Sequence, residues 1–469
     1  MCYQLYDMAA TAPSLTRQLA AVLARPVAED DRAAAAVHLE DWVGAVAAAL
    51  TRPEGQAVVA YTRSQRGSGA TALGAGEAGE AGAAFHSAAL AIALELDSND
   101  REAKLHAGPV VIAAALAAAE ATGASGTVLL EAIVRGYEAA VRVGRSVGPQ
   151  HYHYFHTTST CGGFGAAAAV ASLLGLDQER TTHALGLAGT TAGGFWQVRL
   201  EQATAKLVHA GRAAEAGVTS ARLAAAGLTA PSRVLEGERG FYIATAPDAD
   251  PDAVTAATEG PWLLHESSLK PWACCRHAHP AIDAALELHA ELAGEPIERV
   301  DVTGYADALA FCDRPVPTTS GEARFSLQHV IACALLDGEL ELPAFDEPVL
   351  SRPDVAALRP RVALRVDPVL EAAYPRSWGA GVTVTTPTRT LTVARDEALG
   401  DPARPLSLTD VRAKTARLLA AWSDDAALPA ALSGAVDELV AGAPVTALTA
   451  VLREADARQS SEDAAAYQS

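Results

Sequence analysis

Cysteine is scarce in this chain of 469 residues, which carries six, and no two of them form a C-x-x-C pair. So few cysteines exclude a small disulfide-stapled scaffold, and the missing pair argues against a zinc ribbon or a thioredoxin-like motif. Long hydrophobic runs are absent too, because the longest, residues 164–176, is shorter than the ~20 residues that span a bilayer. No basic segment followed by an apolar one indicates a secretory signal, so we expect a soluble, cytoplasmic protein that does not bind a membrane.

Positive charge is also in short supply. The chain has 36 Lys and Arg against 56 Asp and Glu, which gives a formal net charge of −20 at pH 7. This sign disfavours binding to nucleic-acid phosphates or anionic lipid, so we expect no nucleic-acid partner. A small anionic substrate stays possible, because a binding site is a local field whereas net charge is a global sum. Only four basic residues are lysines, and we expect some of them where a compact ammonium group is needed: Lys104, Lys206, Lys270 and Lys414.

The first half of the chain reads as helix. Half of all residues are hydrophobic but only 5% are aromatic, so alanine and glycine supply much of the core and allow close helix packing. Up to about Leu228, apolar residues recur at helical spacing and nothing alternates with a period of two. This pattern predicts helices at 109–122, 127–144, 165–175 and 211–227.

The pattern changes after about Pro261. Alternating β-branched stretches predict strands at 297–306, 361–366 and 381–393. Helical patterns lie at 278–292, 325–336, 408–422 and 429–452, and we expect the polar tail from about Ala455 to fray. The predicted fold class is therefore mainly α, with a large all-helical domain at 1–264, a smaller α+β domain at 265–400, and C-terminal helices at 401–469 that rejoin the first domain.

Three histidines lie close together in the segment HYHYFHTTSTCGGFG, at His151, His153 and His156. An H-x-H-x-x-H cluster could bind a metal, but no carboxylate follows at ligand spacing, so we assign no metal. We favour the interpretation that His156, Thr157 and Thr158 begin a glycine-rich segment whose N–H groups and hydroxyls face an anion ahead of a helix. The alternative is a capped helix start with an incidental histidine.

Two further segments carry candidate residues. In ELDSNDREAKLHAG, Asp97, Arg101 and His106 lie in a polar break before a predicted helix. A histidine just ahead of a helix N-terminus has its charged form disfavoured, which suits a neutral base, although a solvated charged turn is the simpler alternative. Lys206 lies in a small, apolar helical stretch, where it either reaches solvent or sits in a pocket with an anion.

The most cationic short stretch is KPWACCRHAHPAIDAALEL, which Lys270 opens. His277 and His279 follow it, just ahead of a predicted helix. The adjacent thiols of Cys274 and Cys275 could suggest a nucleophile, but without a placed base we interpret them as buried structural cysteines.

Taken in order, these segments resemble the MmgE/PrpD family, which includes 2-methylcitrate dehydratase, cis-aconitate decarboxylase and iminodisuccinate epimerase. The resemblance covers nearly the whole chain, and its most specific parts are residues 156–165 and the segment around Lys206. It implies a large helical domain and a smaller α+β domain, usually in a homodimer, with the site in the cleft between domains. It also implies chemistry on small polycarboxylates without a cofactor. The family's functional positions match Asp97, His106, His156, Lys206, Lys270 and His279.

Some positions depart from the family and bear on the substrate. The usual His-Pro-Gly reads His106-Ala107-Gly108, and the position that is often Tyr in decarboxylase-like members is His329. The text ELDSNDR is closer to epimerase-like members than to 2-methylcitrate dehydratases. These departures leave the individual substrate open.

Dehydration, decarboxylation and epimerisation share one demand, that negative charge developing next to a carboxylate be tolerated. From the resemblance we expect Lys206 to stabilise that charge, His106 and His156 to act as base and acid in an order left open, and Asp97 to orient an imidazole. His329 could replace a phenol as proton donor, which would lower the operating pH because imidazole titrates near ~6.5 and phenol near ~10. The expected substrate-binding residues are Arg101, Thr157, Thr158, Lys270, His277 and His279.

The expected function is a cofactor-independent lyase, a dehydratase or decarboxylase, that acts on a small di- or tricarboxylate. One alternative is an epimerase of a succinate-like acid on the same site. A second is a relative that binds such a ligand without catalysis. A third is a metal-dependent hydrolase built on His151, His153 and His156.

Replacing Lys206 with Ala is expected to lower turnover by roughly 10²-fold or more while the fold stays intact, which is the scale of losing one charge-stabilising donor. Steady-state kcat measures the loss, and circular dichroism checks the fold. Near-wild-type turnover in a folded variant would remove Lys206 from this role.

Overall fold

The computed structural model describes residues 13–65, 67–201 and 203–466, and the chain forms two compact units. The helical unit comprises the described residues up to Ala93, Ser98–Glu266 and the residues from Asp410 onward. The mixed unit comprises Leu94–Asp97 and Ser267–Thr409. The predicted fold class, a large helical part with a smaller mixed part, is confirmed. Nothing in the sequence pattern predicted that the short piece Leu94–Asp97 would belong to the mixed unit.

The elements of the helical unit, in chain order, are α1 (Leu15–Leu23), α2 (Glu29–Ala49), α3 (Pro53–Ser64), β1 (Ala70–Ala72), β2 (Gly76–Ala78), α4 (Glu80–Ile92), α5 (Ala107–Thr122), α6 (Gly126–Ser146), α7 (Pro149–Tyr154), α8 (Thr157–Leu173), α9 (Gln178–Thr190), α10 (Gln197–Leu200), α11 (Lys206–Ala225) and α12 (Phe241–Thr245). Two 3₁₀ helices follow, at Pro251–Val254 and Leu263–Glu266.

The elements of the mixed unit are α13 (His279–Leu292), β3 (Arg299–Gly304), α14 (Ala306–Cys312), α15 (Ser320–Ala323), α16 (Leu327–Asp337), α17 (Glu347–Leu350), α18 (Pro353–Leu358), β4 (Val362–Val366), α19 (Pro368–Ala373), β5 (Ala380–Thr385) and β6 (Thr390–Arg395). Its 3₁₀ helices are Arg276–Ala278, Leu342–Phe345 and Arg359–Arg361. The last elements in the described residues are α20 (Leu408–Ala420), α21 (Leu428–Val440) and α22 (Thr446–Ala466).

Helices α5 and α8 form the centre of the helical unit. Every residue of α5 from Ala107 to Ala119 and every residue of α8 from Thr157 to Ala171 is buried. A helix that is apolar on all sides must be surrounded by other elements, and α8 contacts α5, α6, α9 and α11. Helix α5 ends where Gly123 adopts a positive φ of 64°, which glycine tolerates without strain.

The mixed unit is built on a four-stranded sheet in the order β4-β3-β5-β6. Strand β3 pairs in parallel with β4 and antiparallel with β5, and β5 pairs antiparallel with β6. Alternate residues of β5, at Ala380, Val382 and Val384, are buried, and α13 packs on β5 and β6. This alternation is the period-two pattern expected of a sheet with one covered face.

Several predicted boundaries were wrong. Helix α8 begins at Thr157 rather than near residue 165, and α11 begins at Lys206 rather than near residue 211. The stretch 381–393 is a hairpin rather than one strand, because Pro387 cannot donate to a sheet ladder.

The C-terminal region also differs from the prediction. The stretch 429–452 is two helices, because Gly442 takes a φ of 92° between α21 and α22. The tail that we expected to fray from Ala455 continues as helix α22 to Ala466. The pair β1 and β2 had no alternating pattern to predict it.

Within the described residues, no single helix has both the length and the hydropathy of a membrane span. One adjacent pair, Glu29–Ala49 with Pro53–Ser64, reaches those values jointly and is bent by 93°.

A buried carboxylate fastens α6 to the segments that follow α12. Glu138 accepts hydrogen bonds from Arg142 Nε at 2.8 Å, from Arg25 Nη2 at 3.0 Å and from the backbone N–H of Leu263 at 2.8 Å. The side chain of Glu138 is fully buried and that of Arg142 is 3% exposed. Since both charges are out of water, each depends on the other for compensation.

Replacing Glu138 with Ala is expected to lower the free energy of unfolding by about 3–5 kcal/mol, because Arg142 stays buried without its carboxylate. Urea unfolding of both proteins measures the difference. The matched control is Arg458→Ala, which removes an exposed partner of Asp425 and should cost less than about 1 kcal/mol. A Glu138 variant no less stable than this control would show that the buried pair is not needed.

Candidate functional site

Two of the predicted site histidines occupy equivalent positions in the helical unit. His106 immediately precedes α5, and His156 immediately precedes α8. Their ring centroids lie 6.0 Å apart, so the positive ends of the two helices lie next to each other. An anionic ligand is favoured at such a place and a charged imidazole is disfavoured there.

The hydroxyls of Thr157 and Thr158, which follow His156, form hydrogen bonds within the protein itself. The backbone N–H of His106 donates to Thr158 Oγ1 at 3.0 Å, and the Thr157 hydroxyl donates to the carbonyl of Lys104. Thr157 and Thr158 therefore fasten the turn that carries His106 to the start of α8. Our expectation that these hydroxyls face an anion in a segment ahead of the helix does not match this geometry. Arg101, a predicted substrate-binding residue, lies half-buried in the same turn.

Two glycines of this segment, Gly162 and Gly165, are explained by helix packing. A Cβ atom on Gly165 would lie 2.6 Å from Ala140 Cβ and 2.6 Å from the carbonyl oxygen of Gly136, on α6. A Cβ atom on Gly162 would lie 3.2 Å from Val110, on α5. These glycines allow α8 to approach its neighbours closely, so their small size needs no ligand to explain it.

Helix α11 adds a third N-terminus to this region. Lys206 is its first residue, and His209, one turn later, lies with its Nδ1 atom 3.2 Å from Nδ1 of His156. A cation in the first turn is unfavourable for the helix itself, which argues that Lys206 is there for another reason. Burial lowers the pKa of His209 below its ordinary value, and the charge of Lys206 lowers it further.

His209 and Trp196 were missed by the sequence reasoning. The Trp196 ring lies 4.4 Å from that of His156, centroid to centroid, and covers it. His209 could have been found, because residues three apart share a helix face and the sequence had already singled out Lys206. Trp196 gave no such signal.

A cavity of about 510 Å³ opens beside His209, among α8, α9 and α11. Its polar lining includes Ser159, Thr191, His209, Arg212, Thr219 and Ser220. The helical unit therefore combines three helix N-termini, a lysine, three histidines and an adjoining open space.

In the mixed unit, Lys270 lies between two carboxylates. Its Nζ atom lies 3.2 Å from Glu95 Oε2 and 3.5 Å from Asp97 Oδ1, and its side chain is fully buried. Burial alone would lower the pKa of Lys270, but the charges of Asp97 and Glu95 outweigh it and raise the pKa above its ordinary value. Two carboxylates already offset this ammonium, which weakens the prediction that Lys270 binds a substrate carboxylate. The sequence analysis assigned no role to Glu95.

His277 and His279 are both buried near the start of α13. His277 stacks on Trp378 at a centroid distance of 4.4 Å, and its Nδ1 atom lies 2.6 Å from the Tyr305 hydroxyl. His279 Nε2 donates to the carbonyl of Cys274 at 3.3 Å, and within the described residues Nδ1 of His279 has no hydrogen-bond partner. Burial lowers the pKa of His279 well below its ordinary value, so the ring is neutral.

His329 lies fully buried in α16. Its Nε2 atom donates to the carbonyl of Ala344 at 2.7 Å. Burial lowers the pKa of His329 to about 4. The expectation that an imidazole here titrates near ~6.5 therefore does not hold, because that value applies to a solvated ring.

The histidines at 151 and 153 do not form a metal site with His156. His151 Nδ1 lies 3.0 Å from the carbonyl of Thr245, and Nε2 lies 2.8 Å from Thr160 Oγ1, so both ring nitrogens are hydrogen-bonded. His153 is exposed. Cys274 and Cys275 are both buried, as expected, and burial raises the pKa of the Cys274 thiol.

Comparison with known proteins gives matches over most of the chain. The family model of the MmgE/PrpD N-terminal domain matches residues 14–254, and that of the MmgE/PrpD C-terminal domain matches residues 272–431. The chain is 31% identical over 221 residues to cis-aconitate decarboxylase of Homo sapiens, which is 46% of this chain and 45% of that protein. It is 28% identical over 313 residues to cis-aconitate decarboxylase of Aspergillus terreus, or 61% of this chain and 63% of that protein. The chain spans about half the length of the curated relatives it matches.

Replacing Lys270 with Met is expected to lower the free energy of unfolding at pH 7 by about 3–5 kcal/mol, because Glu95 and Asp97 stay buried without this ammonium. In the variant, burial raises the carboxylate pKa above its unfolded value. Stability should then be lost as pH rises through that pKa and regained as pH falls. Urea unfolding between pH 5 and 8 measures both effects. The control is Lys104→Met, at a half-buried lysine, which should show no such pH dependence. If the Lys270 variant lost the same stability at every pH, the assignment of Lys270 as the partner of two buried carboxylates would be contradicted.

Proposed function

Because this chain belongs to the MmgE/PrpD family, we propose that it is a lyase that removes CO₂ or water from a small di- or tricarboxylate without a cofactor. The observation that carries the proposal is the meeting of three helix N-termini at His106, His156 and Lys206. Decarboxylation is favoured over dehydration, because the relatives that we compared are named cis-aconitate decarboxylase.

Substrate binding follows from the electrostatics of the helical unit. Free N–H groups at a helix N-terminus and its positive dipole favour a carboxylate, and the ammonium of Lys206 adds a full charge. In an acidic protein, this local field is what draws an anion to one place. Lys270 is not part of this proposal, because its charge is already offset by Glu95 and Asp97.

Both decarboxylation and dehydration require that negative charge developing on the substrate be stabilised in the transition state. In decarboxylation, the bond to the departing CO₂ breaks and its electron pair remains on the carbon, which then takes up one proton. In dehydration, a base removes a proton from one carbon of the substrate. The hydroxyl group on the neighbouring carbon takes a proton from an acid and leaves as water. Lys206 and the helix N–H groups stabilise the charge in either case, most strongly where water is excluded.

Proton transfer falls to the imidazoles of His106 and His156. Both lie at the positive end of a helix, where the charged form of an imidazole is disfavoured. A bound anionic substrate would offset the positive helix ends and favour uptake of a proton. A group that changes its protonation state near neutral pH is suited to general acid–base catalysis.

The proposal includes a homodimer in the cytoplasm. The homodimer rests on the family resemblance. The cytoplasm is supported by the five described cysteines, which are all free and buried thiols, as is usual in a reducing compartment.

The proposal predicts that the protein consumes one acid from a panel of cis-aconitate, citrate and succinate-like acids in D₂O. We expect release of CO₂ or water, because the site is built to stabilise the charge left behind. For decarboxylation, one deuterium should appear on the carbon that lost CO₂. Proton and carbon NMR of the reaction mixture detect the decarboxylated or the dehydrated acid, and show whether it carries deuterium.

The other outcomes favour the alternatives. Exchange of an α-proton without loss of CO₂ or water would make the protein an epimerase, and tight binding without turnover would make it a ligand-binding relative. Dialysis against EDTA should leave the activity unchanged, since a metal-dependent hydrolase would lose it. The Lys206→Ala variant serves as the inactive control.

A further inference from the structure

The turn that carries His106, at residues 98–106, is closed by Asp100. The backbone N–H of Asp100 donates to the carbonyl of Leu105 at 2.8 Å, and the N–H of Leu105 donates back at 3.1 Å. The Asp100 side chain is fully buried and accepts from the backbone N–H of Ala103 at 2.7 Å. Asp100 therefore closes the turn with both its backbone and its side chain, directly ahead of His106.

The turn holds a backbone conformation that needs outside support. Lys104 has a φ of 50°, in the left-handed region, although it is not glycine. A residue with a Cβ atom is strained there and keeps this conformation only where its surroundings hold it. Helix α8 supplies one such contact, because the Thr157 hydroxyl donates to the carbonyl of Lys104.

Helix α6 holds the turn through Arg145, which lies in its last turn. Arg145 donates from Nη2 to Asp100 Oδ2 at 2.6 Å and from Nε to Oδ1 at 3.3 Å. Its guanidinium also pairs with Glu102 at 3.2 Å and with Glu266 at 2.8 Å, but these two carboxylates are exposed. Exposed pairs contribute little, whereas the buried charge of Asp100 depends on compensation by Arg145.

The backbone of α6 also lies directly against the turn. A Cβ atom on Gly144 would lie 2.8 Å from Ala103 Cβ and 3.2 Å from Leu105 Cδ1. At the other end of the turn, the hydroxyls of Tyr137, on α6, and Ser98 are hydrogen-bonded at 2.7 Å. Helix α6 therefore holds the turn at both ends, and closely packed atoms transmit a shift rather than absorb it.

We propose that the ion pair of Arg145 with Asp100 positions His106 for proton transfer in the lyase reaction. Arg145 is a positioning residue, because it acts through the turn and not on the substrate. A group that moves a proton must lie within hydrogen-bond reach of the atom it serves, so a displacement of ~1 Å lowers the rate about 10²-fold. This inference rests on the proposed function and adds to it an arginine that the sequence analysis did not single out.

The test compares Arg145→Gln with Arg135→Gln on the same helix. Arg135 is the matched control, because its side chain is 18% exposed against 16% for Arg145 and it also pairs with a carboxylate, that of Glu131 at 3.0 Å. Its Nε atom donates to the carbonyl of Leu23, away from the turn.

We expect kcat to fall roughly 10²-fold in Arg145→Gln while KM changes less than about threefold, because the groups that bind the substrate stay in place. Arg135→Gln should keep the wild-type kcat. Circular dichroism and thermal unfolding check that both variants are folded. An equal kcat in the two variants, or a loss in Arg145→Gln that falls on KM alone, would overturn the proposal.

The double variant Asp100→Asn with Arg145→Gln covers the case in which Arg145→Gln does not fold, since it leaves no buried carboxylate without its partner. If the two residues act as one unit, the double variant should lose about as much kcat as Asp100→Asn alone. A double variant with near-wild-type kcat, or with a loss about 10²-fold beyond that of Asp100→Asn, would contradict the pairing.

A second measurement does not depend on turnover. The backbone N–H groups of Ala103, Leu105 and His106 all donate hydrogen bonds that hold the turn. In Arg145→Gln we expect their amide hydrogen exchange to be about tenfold faster or more, and in Arg135→Gln unchanged, because local opening sets the exchange rate. Mass spectrometry of peptides that cover residues 98–106 measures it.

Unchanged exchange of this turn in Arg145→Gln would overturn the proposal. If no acid in the panel is consumed but exchange of the turn rises as expected, the lyase proposal fails, and the assignment of Arg145 as the residue that fixes His106 stands.

Discussion

The contact of α8 with its neighbours at glycine and alanine is the constraint on which the helical unit depends. A Cβ atom on Gly217 of α11 would lie 2.2 Å from Ala166 of α8, and one on Gly165 would meet α6 at 2.6 Å. Backbones that touch in this way admit no larger side chain and fix where each helix begins relative to the next. The first residues of α5, α8 and α11 therefore come together, and with them His106, His156 and Lys206.

Two of the four lysines are buried in ion pairs. Lys414 and Lys270 are buried against carboxylates, and Lys414 Nζ lies 2.6 Å from Asp41 Oδ1. Carboxylates within the fold therefore compensate both ammonium charges. Lys206 is the first residue of α11, at the positive end of that helix dipole. A net charge of −20 does not prevent a cationic group from acting at one place. Burial and the charge of Lys206 lower the pKa of the nearby His209.

Helical periodicity predicted α5 and α6 closely, because a buried helix must place apolar residues at nearly every position and the boundary glycines are visible in the sequence. It failed at the start of α8, because small hydroxylated residues and glycines are weak helix formers and are helical here only through packing. The prediction identified His106, His156 and Lys206, which are close together in the helical unit. It missed Glu95 and His209, since their importance lies in contacts with residues far away in the sequence.

The sequence by itself determined the family and the fold class, and it predicted which residues carry the chemistry, because periodicity, composition and motifs are local properties. Only the tertiary structure decided what each of those residues faces. It showed that Thr157 and Thr158 hold a turn, that Lys270 lies between two carboxylates, and that Nδ1 of His156 lies 3.2 Å from Nδ1 of His209. The reason is physical: the charge state of a side chain and the partner of a hydrogen bond depend on burial and on neighbours, which a linear sequence does not specify.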